Sequence, residues 1–112
     1  MAEDCIFCKI IKGDIPSVKV YEDDKMIAIN DVAPAAPVHV LLLPKDHTAN
    51  IVEADPELVA YMLSKVKLIA EKTGIAEKGF RVVINTGDDG GQTVKHLHIH
   101  VIGGKVLGWP PC

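Results

Sequence analysis

No apolar run in this chain approaches the length that spans a bilayer. Its start, Met-Ala-Glu-Asp-Cys, lacks the charged and apolar regions of a signal peptide. The expected location is the cytoplasm, with no membrane partner. Basic charge is short as well: 12 Lys and Arg stand against 15 Asp and Glu, a formal net charge of −3. General nucleic-acid binding needs a basic face and is disfavoured, although a local pocket can still hold a small anion. Cysteine is sparse, at three. In a reducing compartment Cys5, Cys8 and Cys112 are thiols or metal ligands before they are disulfides. Aromatics are few, and the one Trp stands in a stiff Gly-Trp-Pro-Pro tail. The chain has no repeat, linker or low-complexity segment.

What is present is the composition of an ordinary soluble domain, 48% hydrophobic and 24% charged over 112 residues. That predicts one domain, residues 1–112, large enough for a real core. Residues 4–12 read as a short helix, with Asp4 as N-cap and Gly13 ending it. Val18–Glu22 and Met26–Asn30 read as strands joined tightly at Asp23-Asp24. Val38–Leu43 is a third strand, closed by Pro44. Asp55-Pro56-Glu57 starts a helix, and Leu58, Met62, Val66 and Ile69 continue it at helical spacing to Gly74. Gly79–Asn85 is a fourth strand. The expected class is α+β: a five-stranded antiparallel meander with one long helix on one face and a short N-terminal helix. Open sheet edges and an uncovered face predict a homodimer.

The fifth strand carries the chemistry. From Lys95 to Ile102 polar and apolar side chains alternate without a break, the period of a strand with one face in the core. Leu97, Ile99 and Val101 point one way. His96, His98 and His100 point the other, with neighbours roughly 6.5–7 Å apart along the strand. An exposed strand face would ordinarily carry Thr, Lys or Glu. A row of imidazoles can instead titrate, ligate a metal or attack an electrophile near neutral pH.

Three further features have more than one reading. Cys5-x-x-Cys8 can be a redox pair, half a zinc site, or two small core residues. No strand precedes it, as a thioredoxin-like pair would need. Half a zinc site needs two more ligands, and His39, His47 and the histidine row offer them. The residues leave zinc and core open. The loop Gly87–Gly91 is longer and richer in glycine than a hairpin requires. Its backbone N–H groups can converge on an anion, with Gln92 and Thr93 as added donors. Asp31 at a strand end caps a turn by default, and it can also accept hydrogen bonds from sugar hydroxyls.

The run His96-Leu-His98-Ile-His100-Val-Ile resembles the signature of the histidine triad (HIT) family. Cys-Ile-Phe-Cys-Lys-Ile-Ile, Asn-Asp-Val-Ala-Pro, Pro-Val-His-Val, Gly-Gly-Gln-Thr-Val and Gly-Trp-Pro-Pro resemble its Hint branch. The resemblance implies a homodimeric hydrolase of purine nucleoside phosphoramidates, with a nucleoside monophosphate as ligand. It matches His98 to the nucleophile and His100 and His39 to flanking histidines that contact phosphate and orient the site. Asp31 matches the ribose-binding acid. Ile6, Phe7, Ile10, Ile29 and Leu41 match the walls of the purine pocket, and Asn30 stands where animal members often have histidine. Asn85, Gly91, Gln92 and Thr93 match the phosphate-side contacts, with Thr93 in place of the branch's common serine. Cys5, Cys8, His47 and His96 match the four ligands of a structural zinc in bacterial members, and no catalytic metal is expected. Competing readings are a catalytic zinc site, a nucleotide-binding regulatory module and a dinucleotide polyphosphate hydrolase.

Overall fold

The computed structural model describes residues 4–111; Cys112, which has no assigned role, lies outside them. Eight elements follow one another: α1 (Ile6–Lys12), β1 (Lys19–Glu22), β2 (Met26–Asn30), β3 (Val38–Pro44), α2 (Pro56–Ser64), α3 (Val66–Lys72), β4 (Phe80–Val83) and β5 (Ile99–Gly103). The class is α+β, with one five-stranded antiparallel sheet.

The strand order is β1-β2-β3-β5-β4, so the expected meander holds only through β3. Both β3 and β4 pair antiparallel with β5, and they therefore run parallel to each other. Parallel strands need a long crossover, and α2 and α3 supply it. The last strand then fills the gap that the crossover leaves.

Alternate residues of the sheet feed two cores. Met26, Ala28, Val40, Leu42, Ile99 and Val101 pack against Val59, Met62, Val66 and Ile69 of the helices. On the other face Ile27, Ile29, Leu41 and Leu43 pack under Phe7 of α1. Burial on both sides explains why β2 and β3 read as apolar runs rather than as an alternating pattern.

Capping sets the helix bounds. The cap of α1 is Cys5, not Asp4: its Sγ accepts the N–H of Cys8 at 3.4 Å. Gly13 ends the helix at φ 88°, with Gly13 N–H on Ile10 O and Asp14 N–H on Lys9 O. That paired closure uses the left-handed conformation glycine adopts without cost. Asp55 caps α2, accepting the Glu57 N–H at 2.9 Å. The long helix expected from Pro56 onward breaks at Lys65. There the Ser64 hydroxyl donates to Tyr61 O at 2.5 Å, and Lys65 N–H turns to Met62 O, three residues back. A serine hydroxyl competing for the carbonyl one turn back is a local cause of such a break.

Candidate active site and metal centre

The histidine row is only partly a strand. Pairing ends at Leu42 with Ile99, and in the same register Leu97 would come opposite Pro44. Proline has no N–H for the ladder, and the Pro44 carbonyl instead accepts the Nε2–H of His96 at 3.0 Å. The alternation survives in packing: Leu97 joins Ile99 and Val101 in the helix-side core. The histidine face, expected to be open, lies beneath α1. His96 is fully buried, His98 is 7% exposed and His100 is half-buried.

Hydrogen bonds fix which ring nitrogen carries each proton. His98 Nδ1 lies 2.8 Å from the His96 carbonyl oxygen. A carbonyl only accepts, so Nδ1 holds the proton and Nε2 keeps its lone pair. His39 is the reverse case. The N–H of Ala35 donates to its Nδ1 at 2.9 Å, which puts the proton on Nε2. That Nε2–H donates to His100 Nδ1 at 2.9 Å and lies 3.4 Å from Asp31 Oδ2. His100, accepting at Nδ1, is left with its own proton on Nε2. Burial, and then the neighbouring His98 and His39, push the His100 pKa down to about 4. It is neutral at neutral pH, as the relay from His39 requires.

A second cluster lies at the start of α1. Cys5 Sγ is 3.4 Å from His96 Nδ1, Cys8 Sγ is 3.3 Å from His47 Nδ1, and the two Nδ1 atoms are 3.1 Å apart. All four donor atoms lie within 4.8 Å of one another. His96 spends its Nε2–H on Pro44 O, so its Nδ1 lone pair points into the cluster. Burial lowers the His96 pKa and keeps the ring neutral, as a ligand must be. Two sulfurs and two imidazole nitrogens form a tetrahedral zinc donor set, with a backbone carbonyl as outer support. Asp31, His39 and His100 also converge within 4.8 Å, but there the chemistry does not fit a metal. His39 Nδ1 accepts from Ala35, so the proton occupies Nε2, the atom that would have to ligate.

The other residues singled out from the sequence divide. Phe7, Ile29 and Leu41 share one buried apolar cluster, with Ile10 at its margin; Ile6 is 46% exposed. Asn30 is exposed at the end of β2, where the pleat sets it on the face opposite Ile29. Asp31 caps its turn, accepting the Ala33 N–H at 2.8 Å, and its second oxygen faces His39.

The glycine loop is a closed turn rather than an open cradle of N–H groups. The N–H of Gly91 bonds to Asp88 O and that of Gln92 to Gly87 O. Asn85 Nδ2 donates to Gly90 O at 2.7 Å. The Gln92 side chain donates to Ala49 O and Val94 O and accepts from Gly87 N–H. Gln92 and Asn85 therefore brace the loop, while Thr93 is exposed beyond it.

Sequence reasoning missed the Ala35 N–H, the Pro44 carbonyl and the Ala49 carbonyl. They act through the backbone, so no residue type announces them. Phe7, matched by resemblance to a pocket wall, also turns its ring edge-on to His96 at 5.9 Å and to His98 at 5.0 Å.

The signature of the HIT domain matches residues 12–107. The chain belongs to the HIT domain family. It is 46% identical to a 14 kDa zinc-binding protein of Brassica juncea, over 96% of this chain and 99% of that one. It is also 46% identical to adenylylsulfatase HINT1 of Arabidopsis thaliana, over 95% of this chain and 75% of that protein. Among HIT structures, a HIT family hydrolase from Legionella pneumophila matches with a TM-score of 0.93 and 42% identity. That match covers 97% of this chain and 100% of the other. Among the described residues of this HIT protein, no helix is long and apolar enough to cross a membrane.

Proposed function

We propose that this HIT protein hydrolyses purine nucleoside phosphoramidates through a covalent nucleotidyl-His98 intermediate. The observation that carries the reading is the 2.8 Å bond from His98 Nδ1 to the His96 carbonyl. In the neutral ring it commits the proton to Nδ1 and leaves the lone pair on Nε2, the nitrogen that attacks. In the first step Nε2 attacks the α-phosphorus, the P–N bond breaks, and the amine leaves after taking up a proton from solvent, which the attacking water of the second step gives back. The imidazolium that remains is a good leaving group. Water then attacks the same phosphorus, releasing the nucleoside monophosphate and returning neutral His98.

The flanking groups have separate tasks. His100 donates its Nε2–H to a phosphoryl oxygen as charge develops there. His39 acts at one remove, holding His100 in the right tautomer. The Thr93 hydroxyl adds a phosphate-side donor, and Asn85, Gly91 and Gln92 give the loop its shape. Asp31 accepts from ribose hydroxyls. Phe7, Ile10, Ile29 and Leu41 wall the base, with Ile6 at the rim and Asn30 beyond the strand end.

Cys5, Cys8, His47 and His96 hold one zinc ion, which supplies a structural cross-link between α1 and the histidine segment. The chain acts in the cytoplasm as a homodimer. Its edge strand β4 supports this, because Phe80 and Val82 stand exposed on it and an unpaired apolar edge favours pairing.

The name of the Arabidopsis relative favours a second leaving group at the same phosphorus, sulfate from adenylyl sulfate. A panel of adenosine phosphoramidates, adenylyl sulfate and dinucleoside polyphosphates separates the readings. The proposal expects the highest kcat/KM on a phosphoramidate. Preference for adenylyl sulfate or a dinucleotide would replace the substrate and keep the nucleophile; nucleotide binding without turnover of any compound would leave a binding module.

A further inference from the structure

His96 joins the two clusters in a single residue. Its Nδ1 faces Cys5, Cys8 and His47 at 3.4, 3.6 and 3.1 Å. Its backbone carbonyl accepts the His98 Nδ1–H, the bond that frees the attacking nitrogen. Phe7 makes a second bridge. It sits in α1 between Cys5 and Cys8, with its ring against both His96 and His98. The same ring is buried with Ile29 and Leu41, the wall assigned to the base. Packed interiors transmit small displacements rather than absorbing them. A change in the Cys5–Cys8 turn therefore moves the base wall and the nucleophile together.

We propose that the metal centre and the nucleotide site are thermodynamically coupled, with His96 and Phe7 as the positioning residues that carry the coupling. A filled metal centre fixes the His96 backbone and the Phe7 ring in the geometry that binds nucleotide, so each ligand raises the affinity for the other. The inference rests on the functional reading given above. Coupling of this kind is reciprocal in binding free energy, and values of about fivefold or more are typical of linked sites. Exchange of the metal has a route: a cavity of about 380 Å³, lined by Cys5, His47, Thr93 and Lys95, opens onto two of the ligands.

The test is a closed binding cycle on the full chain. Zinc affinity is measured by competition with a chromophoric chelator, without and with saturating AMP. AMP affinity is measured by calorimetry on zinc-loaded and zinc-free protein. Both ratios should be about fivefold or more, and they should agree. Phe7→Leu, brought to AMP saturation at the concentration its own calorimetric titration requires, should still bind one zinc per chain but reduce the AMP effect on zinc to less than about twofold. Nitrogen-15 NMR of the histidine rings should show the His98 Nδ1–H form losing population when zinc is removed.

If AMP binds and a phosphoramidate is turned over, yet zinc affinity is the same with and without AMP, the coupling is wrong and the functional reading stands. If AMP does not bind, both fall. If zinc-free protein is unfolded by circular dichroism, Phe7→Leu decides: an undiminished AMP effect in that variant overturns the proposal, and a lost effect supports it.

Discussion

His39 Nε2 and His100 Nδ1 lie 2.9 Å apart, although 61 residues separate them in sequence. The Ala35 N–H on the far side of His39 fixes the direction of that bond. His39→Ala should thus free His100 to adopt either tautomer without removing its donor. One neutral hydrogen bond is worth about 0.5–1.5 kcal/mol, so kcat should fall roughly 2–10-fold. His100→Ala removes the donor itself and should cost about 10²–10³-fold, by analogy with an oxyanion donor. Steady-state kinetics of the two variants test the order; equal losses would make His39 a direct phosphate contact.

His98→Ala should bind AMP nearly as well as wild type and lose several orders of magnitude in turnover, since no other nitrogen stands in its place. Rapid quenching of the wild type should trap an acid-labile nucleotide on one histidine. An active His98→Ala with an inactive His100→Ala would move the nucleophile to the flanking ring.

Cys5→Ser should lower zinc content and melting temperature together. Metal binding energy is part of folding energy where the site joins distant segments, and here Cys5 and His96 are 91 residues apart. Elemental analysis of carefully prepared wild type checks the premise, and protein without bound zinc would end the claim.

Acid should destabilise the fold through His100. Its folded pKa of about 4 lies below the ordinary value of 6.5, so between those pH values the unfolded chain binds the proton more readily. Stability is then full above pH 6.5, declines as pH falls toward 4, and loses no more from this group below that. His100→Gln should flatten the decline in melting temperature across this window. A variant with the wild-type slope would assign the acid sensitivity to another group.

Gly90→Ala should damage the loop without touching a histidine. A Cβ there would come 2.3 Å from the Thr86 carbonyl oxygen, a backbone atom that cannot step aside. Overpacking of this kind costs about 1–3 kcal/mol, and the braced turn between Asn85 and Gln92 would open. The expected result is a lower melting temperature and a raised KM. Wild-type values for both would show that the turn has another available geometry.

The sequence by itself determined the local features. Alternation placed Leu97, Ile99 and Val101 in one core and the three histidines on the other face, because strand side chains repeat every second residue whatever surrounds them. Met26–Asn30 was legible as a short apolar run bounded by turn residues, and the Pro56 helix start and the Gly13 stop through the backbone preferences of those two residues. The Cys5, Cys8, His47 and His96 grouping followed from family resemblance. Only the tertiary structure decided the rest. The crossover puts β5 between β3 and β4 and so brings His100 to His39. Phe7 of α1 closes over a face that the pattern alone leaves open. Ser64 breaks a helix whose apolar spacing runs on past it. The protonation of the site depends on Ala35 N–H, His96 C=O and Pro44 C=O, backbone groups that every residue type shares. Periodicity is a local property of the chain and can be read from it. A tautomer is set by whichever donor or acceptor the fold brings within 3 Å or so, and that is decided by contacts between segments distant in sequence.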